Sequence, residues 1–182
     1  MKGGLFRKGP AVPLIRRPLP EDGAAVSALI RACPPLDNNS AYCNLLQCTH
    51  FAETCALAER DGEIIGWVSG YRPPEAPDEL FIWQVAVHAS ARGLGLGQSL
   101  LETLLLRPAE REVATLSTTI TPENAASWAL FRSFAQTHHA VMRQRPLFER
   151  DNHFNGEHET EFLVSIGPLS LTSPKAIAKE AS

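Results

Sequence analysis

The sequence lacks long hydrophobic runs, an excess of either charge, and any cysteine pattern typical of a metal site. Its apolar runs are only a few residues long, far below the ~18 residues that a membrane span needs. The formal net charge is -3, and no block of lysine and arginine is long enough to follow a phosphate backbone. The expected partners therefore include neither a membrane nor a nucleic acid.

Disulfide bonds are not expected either. No pair of the four cysteines has C-x-x-C spacing, and prolines and arginines near the N-terminus interrupt any apolar stretch that could form a signal peptide. The cysteines are therefore interpreted as reduced thiols that mostly pack in the core, and the expected location is the cytoplasm. They are Cys33, Cys43, Cys48 and Cys55.

The length and composition indicate one globular domain. The chain has 182 residues, of which 44% are hydrophobic, which is enough to build a real core. Residues 1–11 and 170–182 show no periodicity and are rich in small, basic or helix-breaking residues, so we expect two mobile tails. The functional domain is expected at residues 12–169.

Periodicity predicts alternating strands and helices, the α+β class. The strongest local signals are the Asp61-Gly62 turn of an antiparallel hairpin and the apolar strand at 80–88, which we expect at the centre of the sheet. The predicted strands cover residues 14–17, 54–60, 63–71, 80–88, 113–121, 141–144 and 161–166. The predicted helices cover residues 20–32, a segment capped by Asp37, Asn39 or Ser40 that carries Tyr42, Leu45 and Leu46, a segment with Leu96 to Leu105 that Pro108 stops, and 122–134.

A glycine-rich loop, Arg92-Gly93-Leu94-Gly95-Leu96-Gly97, lies between the central strand and the following helix. Backbone N–H groups and a helix N-terminus at such a turn suit a phosphate. A Walker loop is excluded because residues 89–110 contain no lysine, and the spacing does not match G-x-G-x-x-G because Gln98 stands at the third position. The loop either binds another phosphate ligand or only connects strand to helix.

The pattern R-x-x-G-x-G after a buried strand resembles the acyl-CoA pyrophosphate loop of the GNAT superfamily of N-acetyltransferases, and the predicted element order is also that of the GNAT fold. The resemblance implies a mixed, mostly antiparallel central sheet flanked by helices, with acetyl-CoA as co-substrate. It also implies that acetyl-CoA contacts two strand valines, the loop, and the start and middle of the penultimate helix. These residues are Val85, Val87, Arg92, Gly93, Gly95, Gly97, Asn124 and Phe131.

Within that superfamily, residues 34–42, 48–54, 80–87, 121–124 and 156–159 resemble the L-2,4-diaminobutyrate acetyltransferases of ectoine biosynthesis. That resemblance implies acetylation of the γ-amine of L-2,4-diaminobutyrate and a homodimer. It implies substrate binding by Asp37, Trp83, Glu157 and His158, and catalytic roles for Tyr42, Glu157 and Glu159. Two alternatives stay open, namely another small diamine or diamino acid as substrate, or a non-catalytic acyl-CoA sensor.

Each of these residues also has a simpler structural interpretation. Asn124 and Asp37 are common helix caps, Trp83 in a central strand is commonly a core residue, and the acids at 157 and 159 suit a solvated loop. The general base is unassigned among Asp37, Glu157, His158, Glu159 and a bound water, since the central strand at 80–87 carries no acid. The spacing of His153 and His158 matches no metal motif, so no metal is expected.

The acid that protonates the departing thiolate is also open. In many GNAT enzymes a tyrosine on the penultimate helix has this role, but Phe131 stands there and a phenyl ring cannot donate a proton. Tyr42 and Tyr71 are the only tyrosines. Tyr42 is the predicted acid because it lies in a matched segment, with a packed aromatic as the alternative.

Overall fold

The structure, a computed structural model, describes residues 11–107 and 112–169, which form seven strands and five helices. The strands are β1 (Leu14–Arg16), β2 (Ala56–Arg60), β3 (Glu63–Tyr71), β4 (Glu79–Val87), β5 (Thr115–Ile120), β6 (Val141–Phe148) and β7 (Glu161–Gly167). The helices are α1 (Gly23–Arg31), α2 (Ala41–Thr49), α3 (Leu96–Leu105), α4 (Ala125–Thr137) and α5 (Arg150–His153). The predicted α+β class is confirmed.

The seven strands form one sheet in the order β1-β2-β3-β4-β5-β7-β6. Only β4 and β5 run parallel, and every other neighbouring pair is antiparallel. Asp61 and Gly62 both have positive φ, 55° and 82°, as a two-residue hairpin turn requires. The mixed sheet, the hairpin and the central position of β4 are therefore as predicted.

Helices cover both faces of this sheet. On one face α3 and α4 contribute Leu100, Leu104 and Phe134 to the larger hydrophobic cluster. On the other face Val26 and Ile30 of α1 pack in the smaller cluster, which includes Trp67 of β3. Full burial of one such aliphatic or aromatic side chain contributes roughly 1.5–3 kcal/mol, so the two clusters fix the helices against the sheet.

β4 contains a bulge at Trp83. Ser69 of β3 pairs with Gln84, and the next β3 residue, Gly70, pairs with Ile82, so Trp83 has no partner on β3. An extra residue in one strand breaks the strict alternation of side chains and turns the strand. The bulge therefore redirects the second half of the most apolar strand.

The faces of β4 change at this bulge. Leu80 and Ile82 before it belong to the cluster under α3 and α4, and Val85 after it packs against that same cluster. Ala86 faces the opposite cluster, under α1. Before the bulge the even-numbered residues Leu80 and Ile82 face α3, and after it the odd-numbered Val85 does. Strict strand periodicity does not predict this change of face.

β4 and β5 pair along only part of their length. The register runs from Glu79 opposite Thr115 to Ile82 opposite Thr118, and then the two strands separate. Among the described residues, the segment after Ile82 has no strand neighbour on its β5 side. The sheet therefore opens in the middle, next to the bulge and directly before the glycine-rich loop.

An ion-pair network far from this opening fixes β1. The Arg16 guanidinium donates to both carboxylate oxygens of Asp22, at 2.7 and 2.8 Å, and to Glu59 on β2 at 2.9 and 3.1 Å. The Leu19 N–H also donates to Asp22, at 2.7 Å. The Arg16 hydrogen bonds lower the pKa of the Asp22 carboxyl below its usual value, although partial burial opposes the shift.

Some boundaries differ from the predicted ones. The helix predicted from residue 20 begins with one 3-10 turn, Pro20–Asp22, before α1, and the short helix α5 was not predicted. The predicted mobile tails lie largely outside the described residues, as 1–10 and 170–182 are not among them. No helix in the described part of the chain is long and apolar enough to cross a membrane.

Candidate active site

The glycine-rich loop has the backbone conformation that its sequence predicts. Gly93 and Gly95 have φ of 75° and 74°, the left-handed region that favours glycine, and Gly95 directly precedes α3. At Gly97 the requirement is space, because an added Cβ would lie 3.3 Å from the Leu130 side chain of α4. The loop thus presents the N-terminus of a ten-residue helix, which favours an anion.

A cavity of about 550 Å³ opens against this loop, and we name it the glycine-loop cavity. It is walled by the segment at 33–36, the end of β4, the loop itself, and one side of α4. Of the eight predicted cofactor residues, seven line it: Val85, Val87, Arg92, Gly93, Gly95, Gly97 and Asn124. The structure therefore brings together most of a set that is spread over 40 positions of the sequence.

A second cavity of about 550 Å³, the aromatic cavity, is lined by residues of β4 and β5 at the point where these two strands separate. Its aromatic lining is Tyr71, Phe81, Trp83, Phe131, Phe148 and Phe154. The rings of Tyr71 and Trp83 pack edge to face with centroids 6.4 Å apart, and Trp83 is 50% exposed. The indole is therefore a wall and not a core residue. Phe131, predicted to contact cofactor, lies in this second cavity.

Asp37 and Glu161 are the charged residues in the lining of the aromatic cavity. The helix cap of α2 is Ser40, whose hydroxyl accepts from the Cys43 N–H at 3.1 Å, so Asp37 does not serve as that cap. Glu161 begins β7 opposite Phe148 and was not among the predicted residues. Its only signal in the sequence is a place two positions after Glu159, at the start of a predicted strand.

The three predicted residues at 157–159 are exposed, and none of them is in the lining of either cavity. Glu159 forms a surface ion pair with Arg150 at 2.9 Å. The His158 ring packs edge to face on Phe154, with centroids 5.3 Å apart, and Phe154 does line the aromatic cavity. His158 therefore contacts a residue of the cavity wall from outside the lining, and the roles predicted for Glu157, His158 and Glu159 stay predictions.

The two cavities meet at four residues that line both: Leu36, Val85, Asn124 and Ser127. The Asn124 side chain accepts from the Ser127 N–H at 3.0 Å and so caps α4 at this junction. Asn124 is therefore a helix cap and also a cavity residue. The two cavities are therefore adjacent at this junction.

Gln84, which follows the bulge, was missed by sequence reasoning. It is 8% exposed and lines the aromatic cavity. Its side-chain N–H donates to the Asp37 carbonyl at 2.9 Å, and its side-chain oxygen accepts from the Asn39 amide at 3.1 Å. A lone polar residue in an apolar strand is the available signal, but its partners depend on the tertiary structure.

Comparison with protein families identifies the family of this chain. The model of the acetyltransferase (GNAT) family matches residues 24–135, which is more than half of the chain. The chain belongs to the GNAT acetyltransferase family. The match includes β4, the glycine-rich loop and most of α4, the elements that form the glycine-loop cavity.

Two curated GNAT relatives cover almost the whole domain. The L-2,4-diaminobutyric acid acetyltransferase of Methylotuvimicrobium alcaliphilum is 49% identical over 161 residues, which is 87% of this chain and 94% of that protein. The enzyme of the same name from Halomonas elongata is 51% identical over 161 residues, 87% of this chain and 83% of that protein. The narrower resemblance drawn from the sequence is therefore confirmed.

Solved GNAT structures give the same result. The diaminobutyrate acetyltransferase EctA from Paenibacillus lautus, in complex with L-2,4-diaminobutyric acid and coenzyme A, is 37% identical. It superposes with a TM-score of 0.83 over 88% of this chain and 96% of that chain. The ribosomal-protein-S18-alanine N-acetyltransferase from Escherichia coli, at 18% identity and a TM-score of 0.62, shares the fold alone.

Free thiols in this GNAT acetyltransferase are poor nucleophiles. Burial raises the pKa of Cys48 to about 11 and that of Cys55 to about 12, and it also raises the pKa of Cys43. Cys33 lies in the wall of the glycine-loop cavity but is buried, and its S–H donates to the Val87 carbonyl at 3.4 Å. The geometry therefore favours direct transfer over a cysteine-bound acyl group.

The two tyrosines of this GNAT acetyltransferase occupy different places. Tyr71 ends β3 and lines the aromatic cavity. Tyr42 lies on α2, is 70% exposed, and lines neither cavity of the single chain. Among the described residues, no group of three or more His, Cys, Asp or Glu side chains is placed to hold a metal ion.

Proposed function

We propose that this GNAT acetyltransferase transfers the acetyl group of acetyl-CoA to the γ-amine of L-2,4-diaminobutyrate. The product is N4-acetyl-L-2,4-diaminobutyrate, as in ectoine biosynthesis. Support comes from relatives of that name at 49% and 51% identity, and from the similarity to a structure with diaminobutyric acid and coenzyme A. The observation that carries the proposal is the charge of the aromatic cavity.

That cavity suits a small cation. The described residues in its lining include two carboxylates, Asp37 and Glu161, and no lysine, arginine or histidine. Diaminobutyrate carries two ammonium groups and one carboxylate at neutral pH, so its net charge complements this lining. The faces of Trp83 and Tyr71 add cation–π attraction for an ammonium group.

The glycine-loop cavity suits the other substrate. The N–H groups of the loop and the N-terminus of α3 favour the pyrophosphate of acetyl-CoA, and the positive φ of Gly95 lets the backbone approach it closely. Bound acetyl-CoA supplies an activated acetyl thioester. The junction at Leu36, Val85 and Asn124 is where the acetyl group meets the amine.

The reaction removes two protons from the γ-ammonium nitrogen and gives one to the thiolate of CoA. The γ-ammonium loses a proton to a base before its nitrogen forms the new C–N bond, because the charged amine has no free electron pair. Once the C–N bond has formed, the nitrogen loses a second proton, the C–S bond breaks, and the thiolate of CoA takes up one proton, so that one proton is released overall. Asp37 is the predicted base candidate that lines the aromatic cavity, and Glu161 joins the candidates on geometry.

The test is release of CoA thiol from acetyl-CoA on addition of diaminobutyrate, followed by NMR of the product. We expect release with diaminobutyrate and acetylation at N4. The matched substrates are ornithine, one methylene longer, and putrescine, which lacks the carboxylate. Preference for either of them supports the alternative of another diamine, and acetyl-CoA binding without thiol release supports the acyl-CoA sensor.

We also propose a homodimer in the cytoplasm. The resemblance to the diaminobutyrate acetyltransferases implies the dimer, and within residues 11–107 and 112–169 no strand pairs with the outer edge of β6, where Val141 and Phe148 are exposed. The four free cysteines suit a reducing compartment. Light scattering of the purified protein tests the dimer, and a mass of about 20 kDa per particle would contradict it.

Tyr42 and the dimer are linked. Tyr42 is 70% exposed and outside both cavities of the single chain, so in a dimer its side chain is free to project into the site of the second copy. We therefore tie the proposal that Tyr42 protonates the CoA thiolate to the dimer. If the protein is a monomer in solution, Tyr71 is the remaining tyrosine acid.

A further inference from the structure

The segment between α1 and α2 walls both cavities and is attached to β4 at two points. Leu36 lines both cavities, while Asp37 and Asn39 line only the aromatic cavity. At the glycine-loop end, the Cys33 S–H donates to the Val87 carbonyl. At the aromatic end, the attachment is made by the side chain of Gln84.

Both ends of the Gln84 amide are used in this attachment. The Asp37 carbonyl can only accept a hydrogen bond, so the Gln84 nitrogen must face it, at 2.9 Å. The Gln84 oxygen then faces the Asn39 amide, which donates at 3.1 Å. The two hydrogen bonds fix the orientation of the Gln84 amide and attach the α1–α2 segment to β4 on each side of residue 38.

This attachment by Gln84 depends on the bulge of β4 at Trp83. Without the extra residue at Trp83, strict alternation would place Gln84 on the same face as Ile82, under α3, and not toward the segment that carries Asp37. One strand irregularity thus places Trp83 at the aromatic cavity and turns Gln84 toward Asp37. The apolar wall and the acidic group of that cavity come from the same feature of β4.

We infer that Gln84 is a positioning residue, which holds Asp37 at the aromatic cavity and so governs recognition of the amine through Asp37. The inference rests on the proposed function, because it assigns Asp37 to a substrate ammonium. Its expected signature is selective. We expect recognition of the amine to depend on Gln84. We expect acetyl-CoA binding not to depend on it, because the glycine-rich loop forms that cavity and the Cys33 hydrogen bond fixes the nearby end of the segment.

The test variant is Gln84→Met, which keeps the length and approximate volume of the side chain and removes both hydrogen bonds. We expect KM for diaminobutyrate to rise about tenfold, as for loss of an outer partner of a ligand-binding group, with KM for acetyl-CoA within about twofold. An equal rise in both KM values, or no change in either, would overturn the inference.

Gln47 provides the matched control. It is 2% exposed on α2, and its side-chain amide has no hydrogen-bond partner among the described residues. Gln47→Met therefore makes the same chemical change at an equally buried site without removing a clamp. We expect both KM values to stay within about twofold of the parent. A tenfold rise in the diaminobutyrate KM of this control would show a general packing effect and contradict the role of Gln84.

A double-mutant cycle separates positioning from general loosening of the fold. In the Asp37→Asn background, Gln84→Met should change kcat/KM for diaminobutyrate by less than about twofold, because the group that it positions has already lost its charge. Effects that multiply across the two sites would refute action through Asp37. Thermal unfolding of every variant checks that each is folded.

If Gln84→Met does not fold, Gln84→Leu takes its place in the cycle. Its side chain is also uncharged and can neither donate to the Asp37 carbonyl nor accept from the Asn39 amide, so we expect the same selective rise in KM. Wild-type protein that acetylates none of the diamines refutes the proposed function and this role together. Wild-type activity with multiplicative effects refutes the role of Gln84 alone.

Discussion

The two cavities of this GNAT acetyltransferase are built in different ways. The glycine-loop cavity presents backbone: N–H groups, two glycines with positive φ and the N-terminus of α3, all within one short stretch of sequence. The aromatic cavity presents side chains from the α1–α2 segment, β3, β4, α4 and the region around β7. We therefore expect ligand binding to depend on backbone conformation in the glycine-loop cavity and on the identity of the side chains in the aromatic cavity.

The difference explains why one cavity is the easier to predict. A backbone site needs glycine at fixed spacing, and that requirement stays visible in the sequence. A side-chain site needs only that a few groups converge, and convergence is decided by registers, a bulge and a loop that the sequence does not display. We therefore expect substitutions in the first cavity to act on the cofactor, and those in the second to act on the amine.

The largest effect is expected for Gly95→Val. Valine at φ of 74° is strained, and a displaced loop can cost about 100-fold in binding, so the acetyl-CoA affinity should fall by about that factor in calorimetry. Gly62→Val is the control, since φ there is 82° and an added Cβ likewise meets nothing within 4 Å. An equal loss of affinity in both variants would remove the loop from cofactor binding.

The next effect concerns the acid. Tyr42→Phe should lower kcat by about 100-fold with little change in acetyl-CoA affinity, because a positioned acid contributes about that much. Tyr71→Phe is measured beside it, since that ring lines the aromatic cavity. A kcat of Tyr42→Phe within about threefold of the parent, with a large loss in Tyr71→Phe, would move the acid to Tyr71.

A smaller, selective effect is expected for the carboxylates of the aromatic cavity. Asp37→Asn and Glu161→Gln should each lower kcat/KM for diaminobutyrate about 10–30-fold, the value of a charged hydrogen bond, with acetyl-CoA binding unchanged.

Glu75→Gln is the surface control for these variants, with an expected change below about threefold, because Glu75 is exposed and lines neither cavity. Glu157→Gln tests the predicted substrate role of Glu157 in the same series. A larger loss in Glu157→Gln than in Glu161→Gln would place the second ammonium at Glu157, and the cavity lining would then be misleading.

The smallest effect on activity is expected for Asp22→Asn, which touches neither cavity. The pKa of Asp22 is lowered in the folded protein, so its stabilisation is complete above the unfolded pKa of about 3.9 and is lost as pH falls through the folded pKa. At pH 7 the variant should lose roughly 3–10 °C in Tm with unchanged kcat/KM.

This loss should shrink below about pH 4, where the carboxyl group of the unfolded wild-type chain becomes protonated, and should be smallest below the lowered pKa of Asp22 in the folded protein. The exposed Glu75 in the β3–β4 connection supplies the control, Glu75→Gln, whose Tm should stay within about 2 °C of the parent. An Asp22→Asn loss that grows as the pH falls would contradict the lowered pKa.

Much of the fold follows from local signals in the sequence. The Asp61-Gly62 turn, the apolar strand and the leucines of α3 each determine one element through propensity and periodicity, and each prediction is confirmed. Trp83 was predicted as a pocket wall only through the family resemblance, since an indole in an apolar strand has the pattern of a core residue.

The rest depends on tertiary structure. Glu161 and Gln84 have no local pattern that separates them from other acids and amides. Glu161 lines the aromatic cavity because β7 inserts between β5 and β6, and Gln84 faces Asp37 because β4 bulges. Residues 157–159 matched the family by sequence, but in the structure they are exposed, in the segment between α5 and β7.

If acetyl-CoA and the amine occupy the two cavities as proposed, the four residues that line both cavities couple the binding of one ligand to that of the other. Any shift of Leu36, Val85, Asn124 or Ser127 that accompanies one ligand alters the surface offered to the other. Linkage then requires reciprocity: the factor by which the cofactor changes the dissociation constant of the amine equals the factor by which the amine changes that of the cofactor. A single molecule that spans the junction and occupies both cavities would lose translational and rotational entropy only once, and would therefore bind more tightly than its two separate parts.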